Sequence, residues 1–186
     1  NTDSVIPGGR YHNRRDYMSF PNFGRSELQY ERIEPLPIAG FEMEESLFDQ
    51  IRKRDYLMYT PFQNYGYIVR FLKEAALDPK VKEIKITIYR LAKNSQVAAA
   101  LINAAKNGKK VTVQIELQAR FDEQSNIDYA NKFKEAGINL IFGIRGLKVH
   151  SKICVITRET KPRSLEYFGF ISTGNFNEST AKIYTD

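Results

Sequence analysis

Between residues 84 and 142 the sequence switches repeatedly between a two-residue and a 3.6-residue hydrophobic period, and that alternation restricts the fold more than any other feature. Residues 84–90, Ile-Lys-Ile-Thr-Ile-Tyr-Arg, alternate as a half-buried strand does. Residues 95–107 are alanine-rich and helical in spacing, with Ser95 as an N-cap and Gly108 just past the end. A second strand over 111–117, a second helix over 123–136 closed by Gly137, and a third strand over 138–142 follow. Short links between such elements require parallel strands joined by right-handed crossovers. After Gly146, residues 148–157 and 165–172 read as two further strands, with the polar stretch 158–164 joining them as a hairpin. The fold class is α/β: a mixed, largely parallel sheet flanked by helices.

The flanks are organised differently. Residues 1–40 are punctuated by Pro7, Gly8, Gly9, Pro21, Gly24, Pro35, Pro37 and Gly40, which excludes long helices. The same stretch carries Tyr11, Tyr17, Phe20, Phe23 and Tyr30, aromatics that a flexible linker does not need. Residues 1–36 are therefore expected to end a preceding domain, and residues 37–186 to form the next. Ser46 is a plausible cap for a short helix to about residue 54. Residues 64–76 place Ile68, Phe71, Leu72 and Ala75 on one helical face. The first residue is Asn1 rather than Met, and the 186 residues amount to one domain and a remainder, so a fragment of a longer chain is expected.

Charge narrows the range of partners. The chain carries a net +6, and the excess lies beyond residue 60, where 61–186 hold +8 against −2 in 1–60. Such a distribution favours an anionic partner, although a merely soluble basic surface would show it too. The lone Cys154 cannot form an internal disulfide, which points to a reducing compartment. No apolar run approaches the roughly 20 residues of a membrane span. A cytoplasmic location is expected, with peripheral membrane association as a variant.

Ligands of open α/β sheets collect at the carboxyl ends of parallel strands. This sequence puts Arg90 and Lys93 after its first strand, and Arg120 and Asp122 after its second. A guanidinium there needs an anionic partner, either an internal carboxylate such as Asp122 or Glu116, or phosphate oxygens that suit its planar fork. His150 stands in Lys148-Val149-His150-Ser151-Lys152, where strand alternation would set Lys148, His150 and Lys152 on one face. Ammonium groups beside an imidazole favour its neutral, nucleophilic form and attract a phosphoryl group. Ser172-Thr173-Gly174-Asn175-Phe176-Asn177-Glu178 follows the last strand and is expected to open a helix. Gly174 there permits close backbone approach, the helix amides could hold an anion, and Asn177 could cap.

The His-x-Lys strand followed by Gly-x-Asn resembles the half-site of the phospholipase D superfamily, with Thr157 where the commonest pattern has an aspartate. Longer strings are more specific. Residues 86–95 (ITIYRLAKNS), 116–123 (ELQARFDE), 146–152 (GLKVHSK) and 173–178 (TGNFNE) resemble the catalytic region of the long-chain polyphosphate kinase family. Upstream, residues 9–13 (GRYHN) and 20–22 (FPN) fit the same family. That resemblance implies reversible transfer of the terminal phosphate of ATP onto polyphosphate, through a phosphohistidine and with magnesium. It implies His150 as the phosphorylated nucleophile, Arg90 and Arg120 at the magnesium–phosphate site, and Tyr184 in ATP binding. Arginine has no acceptor atom, so Arg90 and Arg120 would hold phosphate oxygens beside the metal rather than ligate it. Lys148, Lys152 and Asn175 are added on physical grounds as transition-state stabilisers.

The resemblance further implies a truncated first phospholipase D-like catalytic half over 37–186, preceded by the end of a head domain. The segment would then be inactive alone, and the full-length enzyme a homo-oligomer acting on ATP/ADP and polyphosphate without nucleic acid. His12 sits in a different family string and is read as structural. The competing enzymatic reading is a phospholipase D-like phosphodiesterase or nuclease that completes its site by dimerisation. A non-catalytic polyanion-binding module is the third.

Overall fold

Ser46 and Ser95 both act as the helix caps that their positions suggest. Ser46 Oγ accepts from the Asp49 amide at 3.3 Å to start α1 (Leu47–Ile51). After it come α2 (Gly66–Leu77), β1 (Val81–Ile88) and α3 (Gln96–Lys106), the last capped by Ser95 Oγ accepting from the Ala98 amide at 3.2 Å. The chain continues through β2 (Lys110–Ile115), α4 (Glu123–Glu135), β3 (Asn139–Phe142), β4 (Lys152–Lys161) and β5 (Ser164–Ser172). This computed structural model describes residues 17, 20–31, 33–116, 123–143, 146–147 and 149–186. Gly108 and Gly137 follow α3 and α4 at φ +79° and +77°, the left-handed geometry that ends a helix without a Cβ penalty.

Contacts divide the chain into two units, residues 1–33 and 34–186. In the first, a tight turn spans Ser26–Leu28, and Phe20 meets Phe23 edge-on at 5.4 Å between centroids. The second unit holds a five-stranded sheet in the order β3-β2-β1-β4-β5. β1 pairs in parallel with β2, and β2 with β3, while β4 is antiparallel to both β1 and β5. The mixed sheet with flanking helices expected from the period changes is the one that forms.

Register explains the core. Leu140, Val113, Ile86, Cys154 and Phe170 stand side by side across all five strands, and Val111, Ile84, Ile156 and Phe168 form the next row. Helices cover this face: Phe48 of α1 meets Phe168 edge-on at 4.9 Å, and Phe71 of α2 meets Phe170 at 6.3 Å. Burying each such side chain is worth about 1.5–3 kcal/mol, so a single register slip would forfeit a whole row. On the other face Ile141, Ile153, Tyr167 and Ile171 are exposed. No helix among the described residues is long and apolar enough to cross a membrane.

Several strand boundaries differ from the sequence reading. The polar stretch 158–164 is mostly strand, because Arg158 ion-pairs with Asp78 at 2.7 Å and Glu159 with Lys82 at 3.4 Å. Only Pro162 and Arg163 make the turn, with Arg163 at φ +66°. β4, in turn, begins at Lys152 rather than 148, so His150 precedes the strand instead of lying within it. β1 starts at Val81 and ends at Ile88, which leaves Tyr89 and Arg90 in the following loop.

Candidate functional site

Topology gathers the site. β4 runs antiparallel beside β1, so its first residue arrives at the carboxyl end of β1. Lys152 also pairs with Ser172, the last residue of β5, which brings residues 173–175 to the same rim. Tyr89, Arg90, His150, Lys152 and Asn175 therefore converge from three separate stretches of chain.

Lys152 sits in line with Cys154 and Ile156 on the helix-covered face and is only 6% exposed. Its ammonium lies 3.0 Å from His150 Nδ1 and 3.1 Å from Nε2. An ammonium donates to whichever ring nitrogen is unprotonated, so this contact suits the neutral imidazole. Burial holds the Lys152 pKa below the ordinary lysine value, Arg90 pushes the same way, and Asp186 opposes both. The imidazole itself is exposed to solvent. The Tyr89 ring meets it edge-on at 5.3 Å, with Lys152 Nζ at 5.6 Å and Arg90 Cζ at 5.5 Å from the Tyr89 centroid. A histidine and two cations thus surround one aromatic ring.

The backbone around the histidine is pinned from both sides. Thr87 Oγ1 donates to the Ser151 carbonyl at 2.6 Å and accepts from the Ile153 amide at 3.0 Å. Glu116, 6% exposed and just past β2, accepts from the Val149 amide at 3.2 Å. Asn126, fully buried on α4, donates to the carbonyls of Tyr89 at 2.9 Å and Glu116 at 2.8 Å.

The Lys148–His150–Lys152 face expected from strand alternation is not what joins these groups. His150 lies outside β4, and it is the Lys152 side chain that reaches it. Lys148 and Arg120 lie outside the described residues, as do Asp122 and His12. Asn175 is half-buried on the loop after β5, where the Gly174 amide donates to Ser172 Oγ at 3.0 Å. A Cβ on Gly174 would run into the Asp186 carboxylate, which is the close approach that glycine permits. Tyr184 is exposed, and its carbonyl accepts from Thr60 Oγ1 at 3.4 Å.

The expected helix after Asn177 is a single turn, Thr180–Lys182, although Asn177 Oδ1 does accept from the Ser179 and Thr180 amides at 2.9 and 3.1 Å. Glu178 instead reaches α3, accepting from Ser95 Oγ at 3.1 Å and the Val97 amide at 2.8 Å. A carboxylate therefore already occupies that helix terminus. A hollow of about 1050 Å³ beside β5 is lined by Tyr56, Phe71, Tyr167, Phe170 and Asn175, among others. It touches the site through Asn175, and neither His150 nor Lys152 lines it.

Thr87, Tyr89 and Asn126 carry no individual role in the sequence reading, and Glu116 enters it as a possible partner of an arginine and as part of the 116–123 string. One signal was available: Asn126, Tyr129, Ala130 and Phe133 share the buried stripe of α4, and a polar residue on such a stripe must have a structural partner.

The described residues hold no group of three or more His, Cys, Asp or Glu able to take a metal. Magnesium requires oxygen ligands, and the described residues around His150 gather no such acidic cluster to form a magnesium cradle.

Fold and rim together define an α/β domain that presents a solvent-accessible histidine on a cationic, aromatic-backed ledge. The sequence profile of the polyphosphate kinase C-terminal domain 1 family matches residues 46–186. A polyphosphate kinase of Vibrio vulnificus (strain YJ016) is 48% identical over 184 residues, covering 99% of this chain and 26% of that protein. That of Escherichia coli (strain K12) is 46% identical over 186 residues, covering 99% and 27%. The crystal structure of polyphosphate kinase from Porphyromonas gingivalis superposes with a TM-score of 0.73 at 40% identity, covering 98% of this chain and 30% of that one. A phospholipase D family member, Nuc from Salmonella typhimurium, matches at a TM-score of 0.43 and 20% identity over 67% of this chain and 84% of its own, a likeness too slight to carry an argument. The chain belongs to the polyphosphate kinase family, and it spans about a quarter of the length of the curated relatives it matches.

Proposed function

We propose that the protein containing this segment transfers the terminal phosphate of ATP, taken as its magnesium complex, reversibly onto polyphosphate through a phosphohistidine at His150. The observation that supports this most directly is the exposed imidazole with the Lys152 ammonium 3.0 Å from Nδ1 and 3.1 Å from Nε2, in a chain of the polyphosphate kinase family. A ring nitrogen attacks the terminal phosphorus in line. The bond from that phosphorus to the bridging oxygen breaks, and ADP leaves with the electron pair. The terminal oxygen of polyphosphate then attacks the phosphohistidine, and the breaking P–N bond returns its electrons to the ring.

In this reading Lys152 and Arg90, joined by Lys148 and Arg120, balance the charge that spreads over the equatorial oxygens. Asn175 supplies a neutral donor, and Tyr184 serves the nucleotide. Residues 1–36 end a head domain, and 37–186 form the first of two phospholipase D-like halves. The isolated segment is inactive, and the full-length enzyme is a cytoplasmic or peripherally membrane-associated homo-oligomer.

The test uses the full-length protein with terminally labelled ATP and magnesium, quenched in base, with the label located by peptide mapping. Acid-labile, alkali-stable label on His150, abolished together with synthesis in His150→Ala, is the expected result. Label on Ser151 or another histidine, or normal synthesis by the variant, overturns it.

A further inference from the structure

We infer that Asn126 and Glu116 are positioning residues that set the reach of His150, an inference that rests on the phosphohistidine reading above. A nucleophile outside a strand has no ladder of strand hydrogen bonds to fix it, and His150 stands just before β4, which starts at Lys152. Its backbone must be held by other means. On the carboxyl side Thr87 bonds to Ser151 and Ile153, both at the lip of β4. On the amino side the Glu116 carboxylate accepts from the Val149 amide at 3.2 Å.

Glu116 is itself well placed to act as a fixed point. Its amide donates to the Ile88 carbonyl at 3.0 Å, extending the β1–β2 ladder by one residue. Asn126 then ties the Glu116 carbonyl to that of Tyr89, bridging the two parallel strands where they end. Tyr89, held by the same amide group, contributes the ring against which the imidazole rests edge-on. One buried side-chain amide therefore locates both the backbone before the histidine and the surface beside its ring. A histidine attacking phosphorus in line tolerates little displacement, and a misplacement of about 1 Å can cost roughly 100-fold in rate.

The experiment is a rapid-quench measurement of histidine phosphorylation by ATP in the full-length protein, comparing wild type with Glu116→Gln and Glu116→Ala. Glutamine keeps a carbonyl oxygen to accept from Val149, whereas alanine removes the acceptor. The expected result is phosphorylation slowed roughly 10- to 100-fold in Glu116→Ala, within about threefold of wild type in Glu116→Gln, with the KM for ATP little changed in both. Unaltered phosphorylation in Glu116→Ala overturns the inference. So does a glutamine variant as slow as alanine, because the carboxylate charge would then matter rather than the backbone hold. Thermal melting of each variant separates a displaced histidine from an unfolded domain: slow phosphorylation that tracks a collapse in melting temperature also overturns it. Failure of the phosphohistidine reading has a different signature, the absence of label on His150 in the wild type.

Discussion

The two ends of the sheet treat charge in opposite ways. At the amino end of β1, Arg158 and Asp78 form a 2.7 Å ion pair, their side chains 12% and 14% exposed, and the guanidinium also lies 5.3 Å from the Phe48 centroid. Glu83 sits there between Lys85 at 2.9 Å and Lys110 at 3.0 Å. Arg158, Lys85 and Lys110 at this end rest on carboxylates. At the carboxyl end the buried Lys152 rests on an imidazole, with Arg90 near enough to depress its pKa further. Pairing a charge with a carboxylate satisfies it within the fold, whereas a cation placed on a histidine keeps capacity for an anion from outside. The first arrangement secures the sheet, and the second suits the phosphoryl transfer proposed for it.

The largest effect expected from this contrast is at Lys152. Lys152→Met keeps the stem and deletes the ammonium, so phosphoryl transfer in the full-length protein should fall roughly 100- to 1000-fold while the melting temperature holds or rises. A large loss of stability in that variant would erase the distinction between the ends. Next comes the opposite end. Arg158→Met leaves the Asp78 carboxylate without its guanidinium and should cost about 2–3 kcal/mol in denaturant unfolding, with the rate of histidine phosphorylation in folded protein unchanged.

The pH dependence has a definite sign there. Burial pushes the Asp78 pKa up, but the Lys80 amide and Arg158 outweigh it and hold the carboxyl below its ordinary value of 3.8. A depressed folded pKa gives stability that is complete above the unfolded value and is lost as pH falls through the folded one. Asp78→Asn should therefore flatten the acid limb of the stability curve below about pH 4. An unchanged acid limb would mean that other carboxylates govern it. The smallest effect belongs to Lys110, whose side chain is 72% exposed. Lys110→Ala should change stability by less than about 1 kcal/mol, and a larger loss would show that this end depends on its surface charges as well as on its buried pair.

Much of the frame was legible because the forces that set it are local. Ser95 caps α3 and Gly137 follows α4 because a hydroxyl three residues from an amide, or a residue free to adopt positive φ, acts within one turn of chain. The histidine and its neighbouring lysine were likewise visible in an alternating stretch, and Arg90 and Asn175 as polar residues at strand ends. Their mutual geometry was not. Alternation in residues 148–152 looked like strand, yet β4 begins only at Lys152, where Ser172 of β5 offers a partner, and pairs with β1 from Cys154 onward. Conversely, residues 158–161 looked like loop and became strand because Asp78 and Lys82 lie beside them.

The sequence by itself determined the α/β alternation and the parallel pairing that follows from short crossovers, and it singled out His150 as the histidine proposed to take the phosphate. Tertiary structure alone decided that Asn126, on α4, would clasp the ends of β1 and β2, and that Glu116 would hold the backbone before His150 across 33 positions of sequence. The physical reason is range: periodicity and caps act over three or four residues, whereas a buried donor finds its acceptor only after the sheet has brought distant carbonyls together.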